Sequence, residues 1–260
     1  MPEVRVQIQD AIARMTLSNP ARLNAMTMSM WTQLANAFDA IADDAGVRVV
    51  VLAGDGDKAF VSGADISEFE TQRHSPAQVL AYEAEFDRAF SALLACSRPV
   101  IAAIRGVCVG GGLGLAGACD LRYATRSSRF RMPAARLGVG YGLAGTKRFV
   151  DVFGAARTAE LFYTARMFDG EEAERIGFVH KAFAEEDFAD AIEGIIAGIA
   201  ANAPLPILAA KLAIREALKD SGERDEQVVA DAVKACFDSE DYQEGRRAFM
   251  EKRAPRFEGR

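Results

Sequence analysis

Apolar positions along the chain keep two rhythms. Val4 to Ile8 and Ala11 to Leu17 read as strands around Gln9-Asp10 and predict a hairpin. From Thr27, a helix cap, Met28, Trp31, Ala35, Phe38 and Ile41 follow helical spacing until Gly46 stops it. Val47 to Ala53 and Val100 to Ile104 are nearly continuous apolar runs, as strands covered on both faces should be. Between them Pro76 opens a long helix through Val79, Tyr82, Phe86, Phe90 and Leu93, which predicts a right-handed crossover between parallel strands. Leu121 to Thr125 and Phe130 to Met132 read as short strands, Pro133 opens a turn, and helices resume at Thr146 to Phe153 and Arg157 to Thr164. The segments Phe178 to Ala182, Phe188 to Asn202, Pro206 to Leu218 and Asp225 to Phe237 complete a mostly helical tail. The fold class is α/β.

Two glycine corners interrupt this pattern. Gly110, Gly111 and Gly112 follow the Val100 to Ile104 run and lead into a small-residue helix. Glycines there let backbone N–H groups approach a ligand, and the helix start adds unpaired N–H groups and partial positive charge. Tight packing of helix on sheet is the alternative use of the same glycines. The stretch Gly54 to Ile66 also follows an apolar strand and also bends through a glycine, Gly63. Two such corners can converge on one atom.

The motifs Asn19 to Ala25 (NPARLNA), Ala59 to Ile66 (AFVSGADI), the triple glycine, Gly145 to Phe149 (GTKRF), Ala173 to Val179 (AERIGFV) and Ser239 to Phe257 occur in that order. In this the chain resembles the crotonase superfamily, the enoyl-CoA hydratase/isomerase family. The resemblance implies a spiral of β-β-α turns that binds acyl-CoA (residues 1–200) and a C-terminal helical trimerisation region (201–260). It further implies an oxyanion hole for a thioester made by the backbone N–H of Ala64 and of Gly111. Arg22, Leu23 and Ala25, with Asp65 and Ile66, would flank coenzyme A, and Phe249 and Lys252 would reach the coenzyme of a neighbouring subunit. The expected partners are an acyl-CoA substrate and copies of the chain, as a homotrimer or a dimer of trimers. No cofactor is expected, coenzyme A being part of the substrate.

Charge and composition narrow the alternatives. Half of the 260 residues are apolar, enough for a substantial core, and the net charge of −6 argues against a nucleic-acid binder. A local cluster such as Arg126, Arg129 and Arg131 remains able to hold an anion. No run reaches the length of a membrane span, and the expectation is a cytoplasmic protein with no membrane partner. Cys96, Cys108, Cys119 and Cys236 form no CxxC pair and are joined only by His74 and His180, so a metal site is not expected and buried free thiols are. Cys108 lies near the glycine corner without a visible activating neighbour.

The chain departs from the family where hydration chemistry resides. The resemblance implies two glutamates in hydratases; residue by residue these positions are Gly114 and Ala134 here. Positioned acid–base groups are commonly worth roughly 10² to 10⁴-fold each, so hydration should be slow. Tyr141, in Leu137 to Tyr141, resembles a tyrosine of the methylmalonyl-CoA decarboxylase branch, although that branch has histidine at the position of Ala64 and keeps the glutamate at Gly114. A phenol there could hold a carboxylate and serve the enolate, or it could simply pack the turn. Decarboxylation of a malonyl-type CoA is therefore the leading expectation. Hydration or isomerisation with another acid or base, such as Glu68 or Glu70 on a polar stretch from Ser67 to Arg73 that reads as a lid or a surface loop, and non-catalytic acyl-CoA binding are the alternatives.

Overall fold

The two central apolar runs are buried on both faces because alternate residues serve two different cores. β3 (Val49–Gly54) and β5 (Val100–Ile104) pair in parallel, Val51 opposite Ile101. Val50, Leu52, Val100, Ala102 and Ile104 point into the main core, whereas Val49, Val51, Ile101 and Ala103 meet Phe188, Ile192 and Ile196 of the helix Phe188–Ala200. A strand with one wet face would show polar residues at every second position.

The structure is a computed structural model. It describes residues 1–42, 44–68 and 75–260, without the side chains of Ile66 and Pro76. Glu70 and His74 lie outside the described residues.

With β1 (Glu3–Gln9), β2 (Ile12–Ser18), β7 (Leu121–Thr125) and β10 (Lys181–Phe183), these strands make a sheet of order β1-β2-β3-β5-β7-β10, in which only β1 is antiparallel to its neighbour. A smaller sheet of order β4-β6-β8-β9 holds β4 (Ala59–Val61), β6 (Val107–Val109), β8 (Arg129–Arg131) and β9 (Met167–Asp169). Three successive turns of chain thus lay one strand in each sheet, β3 and β4, β5 and β6, β7 and β8. Each turn ends in a helix: α2 (Pro76–Ala95), α3 (Gly111–Ala118) and α4 (Ala134–Leu137). This is the expected β-β-α spiral.

The first hairpin and α1 (Met28–Ala42) form where the pattern placed them, with Trp31, Leu34, Phe38 and Ile41 buried. α2 starts on a capping box, Ser75 Oγ accepting from Gln78 N–H and the Gln78 side chain accepting from Ser75 N–H, with proline at the first helical position. α5 (Leu143–Phe153), α6 (Ala155–Thr164), α7 (Gly170–Arg175), α8 (Phe188–Ala200), α9 (Pro204–Ala217), α10 (Glu226–Asp238) and α11 (Glu240–Glu251) complete the chain. α9 is tied to the spiral by Lys211, whose buried ammonium donates to Arg98 O and Asp120 Oδ2, both at 2.6 Å. The expectation of a helical tail from Phe178 onward is corrected at β10, where Lys181 to Phe183 extend the large sheet beside β7. Among the described residues no single helix is long and apolar enough to cross a membrane.

Candidate active site

β4 and β6 are parallel neighbours, so the chain leaves both at the same end of the small sheet. β4 runs into Ser62-Gly63-Ala64 and β6 into Gly110-Gly111, which brings the two bends side by side. The position a Cβ would take on Gly111 is 3.8 Å from Ala64 N and 3.9 Å from the Gly63 carbonyl carbon. Two glycines are obligatory here. Gly110 has φ +55°, which L side chains rarely adopt, and a Cβ on Gly112 would stand 2.2 Å from Val61 O.

The orientation of both N–H groups follows from the hydrogen bonds around them. Met26 N–H donates to Gly63 O at 2.8 Å and Asp65 N–H donates to Met26 O at 2.9 Å. In such a parallel bridge the intervening residue, Ala64, turns its own N–H to the opposite side. Gly111 is the first residue of α3, and the first intrahelical bond runs from Gly114 N–H to Gly110 O. Among the described residues neither the Ala64 nor the Gly111 N–H has a protein acceptor. Two neighbouring donors left without an acceptor, one of them at a helix N-terminus, suit an oxygen that carries negative charge.

The loop expected to flank coenzyme A is fastened to the same corner. Ser62 N–H donates to Leu23 O at 3.1 Å and Ser62 Oγ to Arg22 O at 3.0 Å. The Asn19 side chain donates to Ala25 O, while Asn24 accepts from Asn19 N–H and donates to Asp55 O and Ala59 O. Arg22 lies 3.6 Å from Asp65, whose carboxylate accepts from Ser67 N–H and Oγ. Burial alone would raise the Asp65 pKa, but the Ser67 hydrogen bonds and the Arg22 charge outweigh it and hold the carboxyl below its ordinary value. Ile66 opens a short 3-10 turn, Ile66–Glu68. The structure therefore brings Arg22, Leu23, Ala25, Asp65 and Ile66 together beside Ala64. Sequence reasoning singled out neither Asn24 nor Asp55. Both lie in the quoted motif stretches, but what they bond became visible only in three dimensions.

No carboxylate stands at either vacated position. Gly114 is one helical turn beyond Gly111, and among the described residues outside its own helix a Cβ there would meet only the tip of Phe90, at 3.7 Å. Ala134 is buried at the start of α4, next to Pro133, whose ring is 3.7 Å from the Cβ position of Gly110. Glu68 is occupied elsewhere, accepting from Met28 N–H at the start of α1. Tyr141 packs its ring edge-on against Phe162, centroids 5.3 Å apart, and burial pushes its phenol above the usual range. Its hydroxyl has no hydrogen bond among the described residues. Trp31 is fully buried and donates from Nε1 to the Tyr82 hydroxyl, a core role. Phe249 is 82% exposed on α11 and Lys252 follows it at the helix end. Among the described residues no hydrogen bond or ion pair joins either to the corner.

The other candidates are placed away from this chemistry. Arg129 and Arg131 spend their guanidinium groups on the carbonyls of Ser127, Ser128 and Ala165, and Arg126 sits 3.8 Å from Glu171. Cys108 and Cys119 are buried; desolvation pushes the Cys108 thiol well up and that of Cys119 to about 12, so neither is a nucleophile near neutral pH. His180 Nδ1 accepts from Arg122 N–H.

Residues 7–260 match the family model described as enoyl-CoA hydratase/isomerase. The chain belongs to the enoyl-CoA hydratase/isomerase family. It is 32% identical to the crotonyl-CoA hydratase of Syntrophomonas wolfei, over 96% of this chain and 95% of that protein. It is 31% identical to the peroxisomal Delta(3,5)-Delta(2,4)-dienoyl-CoA isomerase of Arabidopsis thaliana, over 98% and 95%. The crystal structure of an enoyl-CoA hydratase/carnithine racemase from Magnetospirillum magneticum superposes with a TM-score of 0.95 at 35% identity, covering 100% of this chain and 97% of that one. This enoyl-CoA hydratase/isomerase family member thus keeps the fold of its relatives and has no acid side chain at Gly114 or Ala134.

Proposed function

We propose that the protein binds an acyl-CoA thioester and transforms it through an enolate held at the Ala64 and Gly111 N–H groups. The observation that carries this reading is their closeness, Ala64 N lying 3.8 Å from the Cβ position of Gly111, with no protein acceptor for either among the described residues. A thioester oxygen set between them gains charge as the enolate forms, and each aimed donor is worth about 3 kcal/mol at that stage. The backbone of Arg22, Leu23 and Ala25, with Asp65 and Ile66, would hold the coenzyme A portion, and no further cofactor is required.

The reaction best suited to the site is decarboxylation of a malonyl-type CoA. Cleavage of the bond between Cα and the carboxylate releases CO₂ and leaves its electron pair on Cα, delocalised onto the held oxygen; no base takes part. This agrees with the absence of carboxylates at Gly114 and Ala134, and the Tyr141 hydroxyl, which has no hydrogen bond among the described residues, could orient the departing carboxylate and then give Cα the proton that completes the product. Mass spectrometry of malonyl- and methylmalonyl-CoA incubated with the protein should show loss of CO₂.

The names of the relatives favour a second reading, hydration or double-bond isomerisation with an acid or base outside positions 114 and 134. Rapid hydration of crotonyl-CoA with malonyl thioesters untouched would replace the first reading by this one. Binding without conversion of any thioester would leave an acyl-CoA binder. Exposed Ile214, Leu218, Phe237, Phe249 and Met250 on the C-terminal helices support assembly through residues 201–260 as a trimer or dimer of trimers. That assembly would carry Phe249 and Lys252 to a neighbour's coenzyme.

A further inference from the structure

Leu23 and Asn24 both lie in the left-handed region, with φ of +51° and +56°. Two consecutive non-glycine residues there give the loop from Asn19 to Ala25 a shape that the surroundings must hold. The buried Asn24 amide supplies much of that hold. Its Nδ2 donates to Asp55 O at 3.1 Å and to Ala59 O at 2.7 Å, and its Oδ1 accepts from Asn19 N–H at 3.0 Å. One side chain thus ties the loop to both ends of the turn that joins β3 to β4.

That turn is itself anchored. Asp55 N–H donates to Leu17 O at 2.9 Å, and the Asp55 carboxylate accepts from Ser18 Oγ at 2.6 Å and pairs with Arg5 at 2.9 Å. The amide also packs directly on the end of β3, where a Cβ on Gly54 would stand 2.8 Å from its nitrogen. The Ala64 donor has separate support: Met26 makes the bridge to Ala64, and Ala25 O has its own partner in the Asn19 side chain. Loss of the Asn24 amide therefore loosens Arg22 and Leu23 before it reaches Ala64.

We propose that Asn24 is a positioning residue that holds Arg22 and Leu23 in the shape that receives the coenzyme A portion of the substrate, and so sets affinity for the coenzyme rather than for the thioester group. The inference rests on the thioester reading above. Titration with butyryl-CoA, read by calorimetry, and with butyryl-N-acetylcysteamine, read by ligand-observed NMR, tests it without turnover. The second ligand keeps the acyl thioester and lacks the nucleotide. Wild type should bind butyryl-CoA the more tightly of the two. Asn24→Gly keeps the left-handed backbone accessible and removes only the amide. It should weaken butyryl-CoA roughly tenfold, the scale of a hydrogen bond and of ordering a loop on binding, and leave the small thioester within about twofold. Asn24→Ala, which also strains the backbone, should lose at least as much. An Asn24→Gly protein that binds butyryl-CoA as wild type does would show that the residue serves only its own backbone conformation, overturning the proposal and leaving the thioester reading intact. Equal losses for both ligands, or failure of both variants to fold by circular dichroism, would assign Asn24 to structure alone and overturn it too. Equal wild-type affinity for the two ligands would show that the loop holds no coenzyme, with the same consequence. A wild type that binds neither would remove the thioester reading along with it.

Discussion

Met26 and Ala64 are joined by a single parallel bridge, and that bridge turns the Ala64 N–H away from Met26. The loop Asn19 to Ala25 and the Ala64 corner are consequently one mechanical unit. Anything that shifts Ala25 or Met26 also turns the donor.

Removing the second donor should slow turnover sharply with little harm to the fold. Gly111 is the first residue of α3, where proline is well tolerated because the N–H is not part of the helix ladder. Gly111→Pro is expected to lower kcat by roughly 10² to 10³-fold, as for other oxyanion donors. Steady-state kinetics, with circular dichroism to confirm α3 and the rest of the fold, provide the check.

Gly112 predicts the opposite balance. A Cβ there would lie 2.2 Å from Val61 O and 2.7 Å from Val61 Cβ, so α3 and β4 must separate. Gly112→Ala should destabilise by at least about 1–3 kcal/mol, read as a drop in Tm, and should lose thioester binding with it. A variant as stable as the wild type would show that the corner is softer than its contacts imply.

Much of this corner was legible in the chain and some of it was not. The bends at Gly63 and Gly110 stand out because backbone conformations closed to other residues leave a glycine signature, and the apolar runs of β3 and β5 reveal strands covered twice. β4, β6 and β9 have three residues each, too few for any alternation to show, and they pair with one another and with β8 across long stretches of chain. Ser75 escaped notice because its cap is recognised only with Gln78. The fastening of Asn24 to Asp55 and Ala59 joins residues that no local pattern relates.

Restoring the missing acids should change the reaction. Among the described residues outside its own helix only Phe90 comes within 4 Å of a Cβ at Gly114, and replacing glycine inside a helix is itself favourable by roughly 0.5–1 kcal/mol. Gly114→Glu combined with Ala134→Glu is expected to raise crotonyl-CoA hydration by about 10²-fold or more over the wild type. Ala134 is buried, so the double variant is compared with Gly114→Glu alone to separate chemistry from packing. No gain in either would mean that water is not held where such acids could act.

Tyr141→Phe separates ring from hydroxyl. The contact with Phe162 is retained, so Tm should stay within a degree or two, whereas CO₂ release from a malonyl-type CoA should fall roughly 10² fold, the low end for a positioned proton donor. Unchanged turnover would assign Tyr141 to packing alone.

The Asp65 carboxylate gives a pH signature with a definite sign. Its pKa is lower in the folded protein than the ordinary 3.8, because the Ser67 hydrogen bonds and Arg22 overcome the cost of burial. Between those two values the unfolded chain binds the extra proton, so the stabilisation is complete above the ordinary value and disappears as pH falls through the folded one. Wild type should therefore exceed Asp65→Asn in Tm by a constant margin from about pH 8 to pH 5, and the margin should close at lower pH. A margin independent of pH would mean that Asp65 holds the Ser67 turn through shape and hydrogen bonding that asparagine cannot copy, with charge contributing nothing.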